Sequence, residues 1–582
     1  MKKGQFIILL TTLFVLLSIT ISCKDDKDSI LEGNGLKEQS WSNGKTYSIS
    51  TGQTLQFTFN AQSSWTSDNS SPALLVVSPD AGTAGKSTLK VTANNSSSQQ
   101  QGTITIKVNG YPAVSRINFK LNSSTIHKDE EINSAVDKYL KERYLWNDEY
   151  NTLSPDFSLA YDKFLENTLM SMSTNTLDKK RYTDGNGRSY YELFSFIQKI
   201  DPDLQSTRNA IEKKTKEYNF GFVDMLPVRY EKSPHSGIHN VLLAVQGIHP
   251  ESSAAQAGIK RGTEITHVNG RILTESNWLN YYYSLRLPDS PTSLEITDGK
   301  GKTYQINSGP IYPNPIIHSQ VTSIDSHQIG YLAYSAFEAG FDKELFDIFI
   351  NFHNQQITDL ILDLRYNGGG HVISANLMAS CIAGEASRGK IFAAYRYNKS
   401  RMEEEFGGER PTELFAYEQY ANLNNISLAA GALNLRTVYC LVSDDTASAS
   451  ELVINSLKGI GINVRLIGMT THGKNVGMEG TEISTAAAKY LLYPITFQTY
   501  NALEFGDYEN GFQPTYKIDE NNPNGLSFEG YGDFGTEQDP LYAQAISLIT
   551  GKRSVKSITR SVNQTIGKSL AKPEVKRIGM IK

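Results

Sequence analysis

The sequence is poor in cysteine, with three in 582 residues, at positions 23, 381 and 440. Neither Cys381 ("LMASCIAG") nor Cys440 ("TVYCLV") has the surroundings of a catalytic thiol. In an oxidising compartment the two can pair; their apolar settings read equally well as buried free thiols. HExxH and CxxC spacings are missing and the ten histidines are scattered, so no metal and no cofactor is expected. Strong charge of one sign is also lacking. The net charge of -5 gives no reason to expect nucleic acid as a partner. Beyond the first residues, no apolar run reaches the roughly 20 residues that a membrane-spanning helix needs.

What is present begins with length. A chain of 582 residues is too long for one core, so several domains are expected. Hydrophobic residues at 39% and charged residues at 20% are ordinary for globular protein, and 31 tyrosines fit a folded chain. "MKK" followed by "FIILLTTLFVLLSITI" and Ser22 reads as a secretory signal over residues 1–22. Cys23 directly after it resembles a bacterial lipobox, which implies lipidation of Cys23 and anchoring to a membrane by the lipid. "KDDKD" next to it resembles the acidic tag of surface lipoproteins of the Bacteroidetes. The expected location is therefore the cell envelope, at the outer membrane and surface-exposed.

Composition then divides the chain. Residues 23–40 are polar and read as a tether. Over 41–121, "LQFTFNA", "STLKVTA" and "GTITIKV" alternate with period two between turn clusters, which predicts an all-β sandwich. The segment resembles the BACON-type immunoglobulin-like domain, which implies glycan binding; the plainer reading is a spacer. Residues 122–215 read as helical, with Ile132, Val136, Leu140 and Tyr144 on one face. In 216–312, "NFGFVDMLPV" and "IHPESSAAQAGIKRGTEITHVNGRIL" resemble a PDZ domain of the protease-associated kind. That resemblance implies an α+β fold in which Phe220, Gly221 and Phe222 receive a peptide end. Residues 313–545 alternate apolar strands and helical stretches, predicting an α/β domain with a partly parallel sheet. Residues 546–582 are a basic tail, read as a disordered end or an oligomerisation segment.

In such sheets sites form at the carboxyl ends of the strands. Three of these ends carry "RYNGGG", "SDDTASAS" and "TTHGKN". Ser448 with Glu451 fits the S-x-x-E capping box, and a cap alone explains one hydroxyl. Ser448 and Ser450 both stay candidates for a nucleophile, since a helix N-terminus favours a developing oxyanion. A nucleophilic serine needs a base, and "MTTHGKNVGMEG" offers His472 and Lys474. The glycines after "LILDLR" form either an oxyanion hole or a tight turn. "GMTTHGKN" is one residue short of a phosphate-binding loop and places Asn475 where that motif needs Ser or Thr, which argues against nucleotide.

"LILDLRYNGGG", "SDDTASASELVINSLKG" and "IGMTTHGKNVG", in that order after a PDZ-like region, resemble the S41 family of C-terminal processing serine proteases, with a ClpP/crotonase-like protease domain. The resemblance implies Ser448 as nucleophile and Lys474 as base. It implies oxyanion donors from Ala449 and from Gly369 or Gly370. The family often carries Gln or Glu four residues after the lysine to orient it. Met478 stands there, so Glu479 is the expected substitute, with His472 or His371 as alternative bases. Protein or peptide substrates follow. The competing expectation is a catalytically degenerate surface lipoprotein that binds peptide or glycan.

Overall fold

The computed structural model describes residues 33–50, 52–94, 101–121, 129–183, 189–200, 217–231, 239–288, 290–486, 488–522, 530–552, 568–570 and 580–582. The stretch read as a secretory signal, Cys23 and the acidic residues after it lie outside these. The chain forms two compact units, Met1–Thr125 and Ile126–Lys582.

The first unit is all β. Four strands in one sheet and five in another share one core. Alternation explains the burial. In Thr54–Ala61, Phe57, Phe59 and Ala61 turn inward while Gln56 and Thr58 face water. Trp41 and Trp65 flank Phe59 edge-on, at centroid distances of 5.6 and 4.8 Å. One boundary is corrected. Leu36–Lys37, inside the stretch read as tether, is a strand paired with Asn60 and Ala61.

The second unit opens with the helix Glu130–Arg143, whose Ile132, Val136 and Leu140, with Tyr144 just beyond, are buried as the spacing requires. The purely helical reading of 122–215 is corrected. Lys179–Thr183, Ser189–Leu193 and Phe196–Lys199 are strands. The tyrosine-rich alternation "RYTDGNGRSYYELF" outweighs helix periodicity there.

The next region holds one sheet, in the order Glu217–Asn219, Thr303–Ile311, Thr292–Asp298, Glu264–Val268, His239–Ile248 and Phe222–Glu231, with the helix Trp278–Arg286 against it. Asn269 and Gly270 turn with positive φ, as an Asn-Gly hairpin demands. The sheet has two further strands: Arg271–Ile272, paired with Glu264–Val268, and Lys568–Ser569, paired antiparallel to Phe222–Glu231. The tail is thus not simply a loose end; its other described strand, Met580–Ile581, pairs with Val476–Met478.

The largest region is α/β. Its sheet runs Ile316–Ile324, His327–Tyr334, Asp359–Asp363, Thr437–Val442, Asn463–Gly468 and Tyr516–Lys517, parallel from the second strand onward. Period-two alternation sends Leu332, Leu362, Val438, Cys440 and Leu466 to one face, under the helices Asp342–Asn354, Val372–Ala383 and Ala449–Gly459. Ile329, Tyr331, Ile361, Leu441 and Ile467 face the helix Pro540–Thr550 on the other side. A sheet covered on both faces needs apolar strands throughout, which is why "DLILDL" and "TVYCLV" read as runs. Cys381 and Cys440 are both free and buried. Burial pushes the Cys440 thiol up to about 12. Among the described residues no helix is long and apolar enough to cross a membrane, and no cluster of His, Cys, Asp and Glu is spaced to hold a metal.

Candidate active site

Because Asp359–Asp363, Thr437–Val442 and Asn463–Gly468 are parallel neighbours, their carboxyl ends lie side by side. The three polar loops meet there. Asn367 ties the glycine loop to the serine loop. Its carbonyl accepts from Ala447 N at 3.1 Å and from Ser450 Oγ at 3.0 Å. Its side chain accepts from Gly369 N at 2.9 Å and donates to Tyr334 O at 3.0 Å. Ser450 is therefore committed to the loop. Gly369 has φ +109°, and a Cβ there would lie 2.8 Å from Ser448 Cβ; at Gly370, φ +136°, it would lie 2.2 Å from Phe337 O. Only glycine permits so close an approach. The Gly369 amide is taken by Asn367 in this arrangement, leaving Gly370 and Ala449 as the other expected oxyanion donors.

Ser448 is fully buried, with φ 62° and ψ -111°, a strained conformation for a residue with a side chain. It caps the helix Ala449–Gly459 and forms the capping box with Glu451. Strain at a cap is not needed to start a helix; it aims this one residue. Cap and candidate nucleophile are thus the same residue.

Glu451 does more than close the box. Its carboxylate is fully buried and accepts from Ser448 N at 2.9 Å, Thr471 Oγ1 at 2.6 Å, Gly473 N at 2.7 Å and Lys474 N at 2.8 Å. One carboxylate thereby fixes the serine elbow against the lysine loop. Burial raises its pKa, while Thr471 and the three amides pull it back. The S-x-x-E pattern put Glu451 in view as a cap. Nothing local signalled its partners 20 and more residues downstream.

Lys474 is 4% exposed, and its Nζ stands 4.4 Å from the centre of the Phe194 ring. Phe194 follows the hairpin formed by Lys179–Thr183 and Ser189–Leu193, whose Lys180 ammonium donates to His472 O. The buried Asp178 lies beside this group. It accepts from Tyr144 Oη and Ser195 Oγ, each at 2.6 Å, and from Ser195 N at 2.8 Å. Burial drives its carboxyl up to about 6, against these hydrogen bonds and the Lys474 charge. A carboxylate raised in the fold binds its proton there more tightly than in the unfolded chain, so stability falls as pH rises from about 4 to about 6. Asp178→Asn is expected to remove about 3 kcal/mol of that fall, at 1.36 kcal/mol per pH unit. Urea unfolding of parent and variant at pH 4 and pH 7 measures it; parallel pH curves would refute the assignment.

The remaining expected residues are placed as follows. Glu479, the first residue past the strand Val476–Met478, pairs with Arg401, at 2.6 and 3.3 Å. Met478 is fully buried in the core with Val476 and Ile495, so its apolar character answers packing. His472 Nδ1 lies 3.2 Å from Asp444 O. His371 caps the helix Val372–Ala383, with Nδ1 3.1 Å from Phe337 O. Phe220, Gly221 and Phe222 are buried. Gly221 N donates to Asn219 Oδ1 at 2.5 Å, and Gly221 O accepts from His249 N at 2.7 Å. In this conformation the loop's own neighbours therefore hold the groups expected to meet a peptide end.

Fold and site together define a class: a two-faced α/β domain that sets a strained, helix-capping serine beside a buried lysine on neighbouring strand ends. Residues 328–518 match the model of Peptidase family S41, and they follow a β-rich N-terminal region. The chain is 24% identical over 246 residues to the carboxy-terminal processing protease CtpA of Bacillus subtilis (strain 168), covering 41% of this chain and 47% of that protein. The chain thus spans about half the length of that relative. It is 21% identical over 367 residues to the carboxyl-terminal-processing protease of Picosynechococcus sp. (strain ATCC 27264 / PCC 7002 / PR-6), covering 62% of this chain and 78% of that one. A crystal structure of a candidate S41 protease from Bacteroides fragilis NCTC 9343 shares the fold, with a TM-score of 0.54 at 24% identity over 72% of this chain and 97% of its own.

Proposed function

We propose that this protein is a serine endopeptidase that cuts protein or peptide substrates through Ser448 and Lys474. The observation that carries the reading is the Glu451 carboxylate bonded at once to Ser448 N and Lys474 N. A hydrogen-bonded tether of this kind holds nucleophile and base in fixed relation, which is what such chemistry requires. Lys474, as the neutral amine, takes the Ser448 proton while Oγ attacks the peptide carbonyl. Amides of the 369–370 glycines and of Ala449 receive the oxyanion, with Asn367 giving up Gly369 N as substrate enters. The protonated lysine then passes its proton to the leaving amine, and water releases the acyl group.

The finer parts of the reading have separate supports. PDZ-like capture rests on "NFGF" and the adjoining strand Phe222–Glu231. BACON-like spacing or glycan binding rests on the two-sheet N-terminal unit. Anchoring at Cys23 in the outer membrane rests on the sequence pattern alone.

The test is digestion of an unfolded protein by the soluble chain lacking residues 1–23, with products read by mass spectrometry. Ser448→Ala and Lys474→Ala are each expected to lower kcat/KM by on the order of 10⁴ or more. Cleavage that survives Lys474→Ala would move the base to His472 or His371. Cleavage that survives Ser448→Ala would refute the reading.

A further inference from the structure

Two described pieces of the tail occupy positions that an extended peptide would need. The first is the open edge of the middle sheet. Without Lys568–Ser569, Phe222–Glu231 is the edge strand of that sheet. Val228 pairs with Ser569 and Arg229 with Lys568, both antiparallel, and Leu570 N donates to Pro227 O at 2.9 Å. Leu570 packs on the core of the same region. An antiparallel strand on an open edge is how a peptide adds to a sheet.

The second position adjoins the glycine loop, at Gly370 and His371. Met580–Ile581 runs parallel to Val476–Met478, the strand that begins two residues after Lys474. On its other side Ile581 bridges His371. Ile581 N donates to Gly370 O at 2.9 Å, and Lys582 N donates to Met478 O at 3.1 Å. Consecutive amides that bond to opposite sides mark an inner strand seated in a slot. One wall of that slot is Gly370, the residue after Gly369; a Cβ added at Gly369 would lie 2.8 Å from Ser448 Cβ. The slot opens on a cavity of about 530 Å³ bordered by Ala339, His371, Val372 and Glu413. Lys582 Nζ donates to Tyr397 Oη at 3.0 Å and stands 3.5 Å from the centre of the Tyr395 ring, a seat suited to a basic side chain. Ile581 packs against the apolar cluster around Val476 and Met478.

We propose that residues 568–570 and 580–582 are an internal occupant of the peptide path, so that a substrate must displace them before it reaches Ser448. The slot then takes an extended strand carrying an apolar residue followed by a basic one, as Ile581 and Lys582 do. This rests on the peptidase reading for its consequence, though not for the binding itself.

The test separates the two. A fluorescent synthetic copy of residues 568–582 is titrated against full-length soluble Ser448→Ala protein by anisotropy. It is then titrated against the same protein carrying Leu570→Pro and Ile581→Pro, which delete the two amides that pair with Pro227 and Gly370. The peptide is expected to bind the proline variant about tenfold tighter or more, because an occupied slot lowers apparent affinity by the fraction that is open. Lys582→Glu, which leaves the backbone intact, is the second variant and should show a smaller gain. Equal affinity in all three proteins, or binding to none, would overturn the proposal. In Ser448 proteins the proline pair is expected to lower KM for an unfolded substrate with little change in kcat. Tighter peptide binding without cleavage anywhere would leave the slot standing and remove the peptidase reading. Cleavage with unchanged KM and unchanged binding would do the reverse.

Discussion

Glu451→Ala is expected to unfold the site and abolish cleavage together. The carboxylate is fully buried and takes four donors, from Ser448, Thr471, Gly473 and Lys474. Removing it strands three backbone N–H groups and a hydroxyl where water does not reach, each costing about 1–3 kcal/mol. Thr471 Oγ1 keeps one partner, Phe512 N, which limits the total. A loss of about 3–5 kcal/mol is expected, read as a shift in urea midpoint with unchanged slope. Glu451→Gln is the sharper variant. Its shape is preserved, but in either orientation the amide NH₂ confronts two of the four donors. It should fold with a smaller loss and still lower kcat/KM by about 10²-fold or more, since serine and lysine are no longer drawn to one acceptor. Full activity in Glu451→Gln would mean that the tether is not needed for catalysis.

Arg365→Met is expected to be nearly as costly to stability. Arg365 is fully buried and reaches three carboxylates: Asp363 at 2.6 Å, Glu520 at 2.6 Å and Asp539 through its second NH group. Asp539 caps the helix Pro540–Thr550, and Asp363 ends the strand before "RYNGGG". Arg261 of the middle region enters the same cluster, with Nη2 2.9 Å from Glu520, Nη1 2.6 Å from Tyr366 Oη, and its guanidinium between the Tyr531 and Phe534 rings. Methionine fills the volume and leaves Asp363 and Asp539 buried without their main counter-charge. Breaking a buried pair in this way costs about 3–5 kcal/mol. Thermal melts of parent and variant at pH 7 measure this. A variant as stable as the parent at pH 7 would show that Arg261 alone neutralises the cluster.

These two residues show where local reading stopped. Strand periods, the Asn269-Gly270 turn, the apolar face of Ile132, Val136 and Leu140, and three polar loops at strand ends follow from spacing and side-chain type, because they depend on neighbours within a turn or a pleat. Spacing brought Ser448 and Ser450 and, on the next loop, His472 and Lys474 into view as candidates, because parallel strands bring their loops together; only the resemblance to the S41 family singled out Ser448 and Lys474. Glu451 was legible as a cap and no more. Its bonds to Gly473 and Lys474, the Asn367 link to Ala447 and Ser450, the Phe194 ring over Lys474, and Arg261 among Asp539 and Glu520 join residues 20 to 280 positions apart. Only packing in three dimensions decides such contacts. Glu479 and Met478 illustrate the same limit. Met478 ends the strand Val476–Met478 and is buried in the core, while Glu479, the first residue past that strand, pairs with Arg401. The tail is the plainest case. Its basic composition read as a disordered end or an oligomerisation segment, yet its described residues 568–569 and 580–581 pair into two sheets, which composition does not describe.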